Sequence, residues 1–279
     1  MTTREHCAGL DAVDPLADFR ARFALPDNVI YLDGNSLGAL PKAAAERARG
    51  VIDEEWGAGL IRSWNDADWM ALPFKTGDKI ARLIGAGAGE VVASDSTSVN
   101  LFKLLSAAFA LRPERRVLLT DSDNFPTDNY IAEGVGEFLG PRVERRVVAA
   151  DEILAAIDSD TAVVSLTQVN YRSGLIHDMA RISAAATAAG ALSLWDLSHS
   201  AGAIAVDLNG AGADLAVGCG YKYLNGGPGA PAFMFVAERH QQAIRQPVSG
   251  WMGHAAPFEF AGAFRPAPGI GRMLSGTPQ

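Results

Sequence analysis

LSLWDLSHSAGA, residues 192–203, and LAVGCGYKYLNGGPGAP, residues 215–231, decide how this chain is read. Each opens as a short apolar run of the kind that forms a buried strand and then meets a charge, Asp196 in the first and Lys222 in the second. Working outward, the same pattern recurs. Strands are predicted at Glu90–Ala93, Arg116–Leu119, Val143–Val148, Ala162–Leu166, Ala191–Trp195, Asp214–Gly218 and Ala232–Val236. Between and before them, Ala-rich stretches predict helices at Lys42–Trp56, Lys75–Leu83, Ser98–Ala110, Thr127–Phe138, Asp151–Ile157 and Ile182–Ala189. Apolar strands separated by helices describe an α/β fold, a mainly parallel seven-stranded sheet with helices on both faces. Ligands of such sheets bind beyond the carboxyl ends of the strands. The residues there are Asp196, Thr167, Asn124–Asp128 and Tyr221–Lys222. Four loops ending this way on one side of a sheet make a pocket.

The whole chain supports this reading and excludes others. Its 279 residues, 48% hydrophobic and 20% charged, suffice for one large α/β domain or for one with the start of a second. A formal net charge of −8 opposes a nucleic-acid surface, which needs a basic stripe. No apolar run approaches the roughly 20 residues that span a bilayer. The opening MTTREHCAGLDAVD lacks the apolar region of a signal peptide. Cys7 and Cys219 are too few for a disulfide framework or a zinc site, so a cytoplasmic setting is expected. HExxH, CxxC and metal-ligand clusters are absent, and no GxGxxG follows the first strand, which disfavours a dinucleotide dehydrogenase.

A lysine beside glycines, taken alone, is more often a solvated loop residue. Asp196, 26 positions earlier (222 − 196), changes the weighing. A strand-end carboxylate followed by a strand-end lysine is what an enzyme of pyridoxal phosphate (PLP) needs. The carboxylate keeps the pyridine nitrogen protonated, so that the ring draws electrons, and the lysine holds the aldehyde covalently and later serves as base. Thr97 and Ser98 open a helix directly after a strand, which suits a phosphate but equally an ordinary N-cap.

Six segments make the likeness specific: YLDGNSLG (31–38), STSVNLFKLL (96–105), DNFPTDNY (123–130), WDLSHSAG (195–202), GYKYLNGGPG (220–229) and GWMGH (250–254). In order and spacing the chain resembles the kynureninases, a family of fold-type I PLP-dependent enzymes, over essentially its whole length. The resemblance implies the fold-type I large domain and PLP as cofactor. It implies hydrolysis of the Cβ–Cγ bond of L-kynurenine, or its 3-hydroxy form, to an anthranilate and L-alanine in tryptophan catabolism. Lys222 resembles the Schiff-base lysine, Asp196 the partner of the pyridine nitrogen, and His199 a cofactor contact. Thr97, Ser98, Phe125, Asp128, Thr167 and Tyr221 match further cofactor contacts; read without the family, Phe125 is more simply a core aromatic. Tyr221 is also the candidate general acid or base at the substrate carbonyl. Trp251 and Thr277 match positions that reach a neighbouring subunit's site, so a homodimer is expected. Ser36 and Trp64 resemble substrate-side positions, and His254 either lines the same pocket or is structural. His6, His177 and His240 lack ligand spacing and are expected at the surface.

The implied division is an N-terminal arm at 1–40, a large PLP-binding domain at 41–260, and at 261–279 the start of a connection to a smaller C-terminal domain absent from this chain. That domain is where the family keeps the arginine for the substrate's α-carboxylate; Arg272 lies in the wrong segment for it. Some apolar surface is therefore expected to be exposed. Three alternatives stand beside this reading: a cysteine desulfurase, a class V aminotransferase, and a PLP-binding fragment without turnover. A desulfurase needs a cysteine in a mobile loop, a position that neither Cys7 nor Cys219 suits.

Overall fold

The computed structural model describes residues 2–277. The chain opens with α1 (Arg4–Asp11), two short paired strands β1 (Phe23–Ala24) and β2 (Leu40–Pro41), and α2 (Lys42–Gly50). α3 (Ser63–Asp66) and α4 (Leu72–Leu83) lead into the sheet. There β3 (Val91–Ala93), α5 (Thr97–Leu111), β4 (Val117–Asp121), α6 (Pro126–Leu139), β5 (Glu144–Val148), α7 (Ile153–Ala156) and β6 (Thr161–Thr167) follow. The sheet is completed by α8 (Met179–Ala189), β7 (Leu192–Asp196), β8 (Leu215–Gly218) and β9 (Phe233–Val236), with α9 (Glu238–Gln241) after it.

Seven strands lie in the order β3-β9-β8-β7-β6-β4-β5. β9 runs antiparallel to both its neighbours and the other strands run parallel to one another. The carboxyl ends of β3, β8, β7, β6 and β4 therefore share one edge, and the start of β9 joins them there.

Period-two alternation explains the two-faced core. On β9, Phe233 and Phe235 enter one cluster while Met234 and Val236 enter the other. On β4, Val117 and Leu119 face one way and Leu118 the other. One face is covered by α4 (Ile80, Ile84), α7 (Ile153) and α8 (Ile182, Ala186). The other is covered by α5 (Leu101, Leu104, Leu105), α6 (Ala132, Val135) and the segment holding Ile270, Met273 and Leu274.

All seven predicted strands form, displaced by a residue or two at their ends. The helices differ more. The one predicted over 42–56 is α-helical only to Gly50 and continues as a π-helix, Val51–Gly59, through Gly57 and Gly59. α8 begins at Met179, earlier than predicted, because the Asp178 carboxylate accepts from Arg181 N at 3.0 Å and caps it. The helix predicted over 151–157 shrinks to four residues, since Ile157 is extended.

Candidate active site

Asp196 ends β7 and Thr167 ends β6, and the two are register partners. Both side chains are buried where parallel strands finish, with Lys222 close by in the loop after β8. That loop is held from two sides. Asn225 N donates to Lys222 O at 2.9 Å, and Gly226 N to Gly220 O at 2.8 Å. From the GNSLG turn, Gly38 N donates to Tyr221 O at 2.8 Å. A Cβ at residue 38 would stand 2.1 Å from Lys222 O, so only glycine lets the two backbones meet.

Lys222 is 7% exposed, and its Nζ lies 2.7 Å from His199 Nε2. Burial, and then the Lys222 charge, push the imidazole below its ordinary pKa against the opposing pull of Asp196. A neutral ring accepts at Nε2 and carries its proton on Nδ1, and Nδ1 is buried with no partner among the described residues. Phe125 places its ring 5.5 Å from the lysine nitrogen.

Asp128, in the first turn of α6, is 5% exposed. Burial raises its pKa well above the carboxylate range, and the charge of Asp196 and a hydrogen bond with it add to the rise. Asp128 therefore keeps its proton beside Asp196. Thr167 Oγ1 donates to Asp128 Oδ2 at 3.2 Å, and Ser198 N donates to Asp196 Oδ1 at 2.8 Å. Tyr221, with about a third of its surface exposed, has its phenol raised by burial, then by Cys219 and Asp196. It keeps its proton at neutral pH.

Across the strand edge, Ser96 caps α5 by accepting from Val99 N at 3.3 Å. The N–H groups of Thr97 and Ser98 have no backbone partner among the described residues, so a fifteen-residue helix points two free donors at the cleft. Thr97, Ser98, Phe125, Thr127, Asp128, Asp196, Ser198, His199, Tyr221 and Lys222 line one cavity. A more apolar groove, between α4 and the glycine-rich loop, has Lys79 as its one charged lining residue and shares no lining residue with this cavity.

Predicted site residues thus divide into those the fold gathers and those it does not. Lys222, Tyr221, Asp196, His199, Asp128, Phe125, Thr97 and Ser98 line the cavity, and Thr167 bonds to Asp128 behind it. Ser36 is exposed in the turn packed on the lysine loop. Trp64 is half-buried, edge-on to Trp69 at 5.6 Å. Trp251 is exposed beside Phe258 and Phe260, at 5.8 and 6.5 Å, and Thr277 is exposed. His254 is buried, with its ring against Phe264 and Ala256 N donating to its Nδ1.

Two histidines expected at the surface are not there. His177 Nε2 lies 3.3 Å from Asp121 and His240 Nε2 2.6 Å from Asp214, and both rings are largely covered. Their carboxylate partners are remote in sequence, which hid the pairing. Asn124 and Thr127, placed at the strand ends by the sequence but given no role there, take one here: Asn124 Oδ1 accepts from Thr167 N at 2.9 Å, and Thr127 lines the cavity with Ser198, which the sequence had not singled out. All three lie inside motifs already quoted, so a signal was available for them. Tyr171 had none.

The fold and site define a member of the class-V aminotransferase family, whose model matches residues 30–264. Two solved structures share the fold. One is an apo cysteine desulfurase from Thermococcus onnurineus NA1, with TM-score 0.75, 19% identity, and coverage of 94% of this chain and 66% of that one. The other is the cysteine desulfurase CsdA from Escherichia coli, with TM-score 0.75, 20% identity, and coverage of 95% and 68%. Among curated relatives, kynureninases from Burkholderia pseudomallei (strain 1106a) and Pseudomonas fluorescens are 57% and 55% identical over 282 residues, spanning 99% of this chain. The chain belongs to the kynureninase family, and it spans 68% of the length of these relatives.

Proposed function

We propose that this chain binds PLP on Lys222 and hydrolyses the Cβ–Cγ bond of L-kynurenine, or its 3-hydroxy form, to an anthranilate and L-alanine. The observation that carries the reading is the buried Lys222–His199 contact beside the carboxyl groups of Asp196, at a strand end, and Asp128, in the first turn of α6. The residues fit the cofactor. His199 Nδ1 is a buried donor awaiting an acceptor, and the α5 N-terminus offers free N–H groups to a phosphate. Asp196, buried at the end of β7, would accept from a ring N–H. Bound PLP supplies an electrophilic carbonyl and an electron sink.

The chain's own groups supply the rest. Lys222 would hold the cofactor covalently and, when its amine is free, would take the proton from the substrate Cα. Asp196 would partner the ring nitrogen and favour its protonated form, Phe125 would contact the ring, and Thr97 and Ser98 would hold the phosphate. Tyr221, protonated at neutral pH, donates to the substrate carbonyl oxygen while water adds there and the carbon–carbon bond breaks.

The finer assignments belong to the same proposal. Ser36 and Trp64 lie toward the substrate, Trp251 and Thr277 toward the site of a second copy in a homodimer, and the enzyme works in the cytoplasm. The arm (1–40), the PLP domain (41–260) and the connection (261–279) form its parts.

The test adds PLP to the purified chain, reduces it with borohydride, maps the labelled peptide, and follows L-kynurenine turnover by anthranilate fluorescence. A pyridoxyl adduct on Lys222 with anthranilate release establishes the activity in this chain. An adduct without release leaves a PLP-binding unit that lacks the substrate's carboxylate partner. No adduct on Lys222 overturns the proposal. In a loaded protein, Tyr221→Phe slows cleavage at least tenfold with the adduct retained; unchanged turnover removes Tyr221 from the acid role.

A further inference from the structure

We propose that Tyr171 is a positioning residue that fixes the rings of His199 and Phe125 around Lys222 and shields the lysine–histidine contact from water. The proposal rests on the PLP reading of Lys222 but concerns a residue outside every motif that carried that reading.

Tyr171 sits at the tip of a hairpin between β6 and α8, closed by a bridge between Val169 and Ile176. The hairpin is tied to the site. Gln168 N donates to Asp196 O at 3.0 Å, so its first residue hangs from the end of β7. Asn170, 8% exposed, spends both ends of its amide on position. Its Oδ1 accepts from Arg172 N and Ser173 N, each at 2.9 Å, which folds the tip. Its Nδ2 donates to Asp123 O at 2.8 Å, clamping the tip to the loop that carries Phe125. At the far foot, His177 meets Asp121 at the end of β4. Tyr171 therefore has little freedom to move relative to Phe125.

The ring geometry shows what the clamp achieves. Tyr171 stands edge-on to Phe125, with centroids 5.1 Å apart at 82°. It lies near parallel to His199 at 6.4 Å and 29°. Phe125 and His199 themselves meet at 6.0 Å. Three rings thus brace one another, and Tyr171 is the outer one, 37% exposed with its hydroxyl accepting from Arg172 at 3.1 Å. His199 makes one side-chain hydrogen bond, to Lys222, so it needs a packing neighbour to hold its plane. The charges facing His199 are Lys222 and Asp196, with Arg172 outside Tyr171.

The experiment compares the chain with Tyr171→Phe, Tyr171→Leu and Tyr171→Ala. In the cofactor-free protein, NMR titration follows the His199 ring. In the loaded protein, PLP affinity and the visible circular dichroism of the Lys222-bound cofactor are read. Removing the ring admits water to His199, so its pKa rises toward the ordinary histidine value in the Ala and Leu variants. PLP binding weakens about three- to tenfold, the range that one lost aromatic contact gives, and the visible dichroism falls. Tyr171→Phe restores all three to wild type, because the ring and not the hydroxyl does the positioning. The Leu variant guards against an Ala variant that fails to fold. Wild-type His199 titration and PLP affinity in Tyr171→Leu overturn the proposal, and so does a Phe variant that behaves like Ala. If wild type itself forms no adduct on Lys222, the PLP reading falls, while the cofactor-free titration still decides the role of Tyr171 toward His199.

Discussion

Lys103 is fully buried on α5, with its ammonium 2.6 Å from Asp95 Oδ2 and 3.1 Å from Met273 O. Asp95 sits in the turn between β3 and α5, in the left-handed region at φ 52. Asn tolerates that conformation at least as well as Asp, so Asp95→Asn removes the charge and leaves the turn unstrained. The substitution strands a cation in apolar surroundings. Breaking a buried pair from one side costs about 3–5 kcal/mol. The Asp95 side chain is 26% exposed and the Met273 carbonyl remains, which places the cost near the low end, about 3 kcal/mol. At roughly 2–4 °C per kcal/mol for a chain of this size, the melting temperature falls by about 6–12 °C. Lys103→Met deletes the charge at similar volume and is close to neutral, and added to Asp95→Asn it restores most of the lost stability. Thermal and urea melts followed by circular dichroism on the four proteins of this cycle give the answer. The reasoning is refuted if Asp95→Asn stays within about 0.5 kcal/mol of wild type, or if the double variant is no more stable than Asp95→Asn.

Other expectations concern the cleft directly. Ser98→Asp puts a carboxylate in the first turn of α5, where the helix dipole favours it but a phosphate is repelled; the melting temperature holds or rises while PLP affinity, read by quenching of protein fluorescence, drops at least tenfold. Asp128→Asn removes a group that keeps its proton on folding; wild type loses stability as pH rises through and above the ordinary carboxylate range, the variant lacks that loss, and its advantage in urea melts grows with pH and vanishes in acid. Gly38→Ala forces a Cβ against Lys222 O and Asn225 Cα, so it should separate the GNSLG turn from the lysine loop and cut borohydride labelling of Lys222 in a chain that still folds.

What the sequence made legible was whatever local pattern encodes. Short, mostly apolar runs bounded by turn residues, such as Val117–Leu119 and Leu192–Trp195, read as strands buried on both faces, and the residues after each run mark the functional edge of the sheet. The cavity residues Asp196, Lys222, Asp128 and Thr97 were readable for that reason. Properties that depend on a second segment were not. Asp128 keeps its proton because the fold buries it, and Asp196, arriving from another strand, adds to the rise. The clamp of Asn170 on Asp123 joins residues 47 apart, and the pairing of His177 with Asp121 joins residues 56 apart. The π-helical stretch was hidden for a different reason: its composition is that of a helix, and only the hydrogen-bond step differs.

The strand order explains why one edge can serve a ligand with three chemically different ends. β9 separates β3 from β8, so the free N–H groups of α5 and the lysine loop stand on either side of the glycine-rich approach to β9. Asp196 follows on β7, the next strand beyond β8, and Thr167 on β6 after that. Anion donors, nucleophilic amine and paired carboxylates thus occur in sequence along the edge, each about one or two strand spacings of ~4.8 Å from the next. Inserting β9 antiparallel between β3 and β8 makes this order possible. With β9 between them, the helix terminus and the lysine line opposite parts of one cleft, Thr97 and Ser98 from α5 and Tyr221 and Lys222 from the loop after β8.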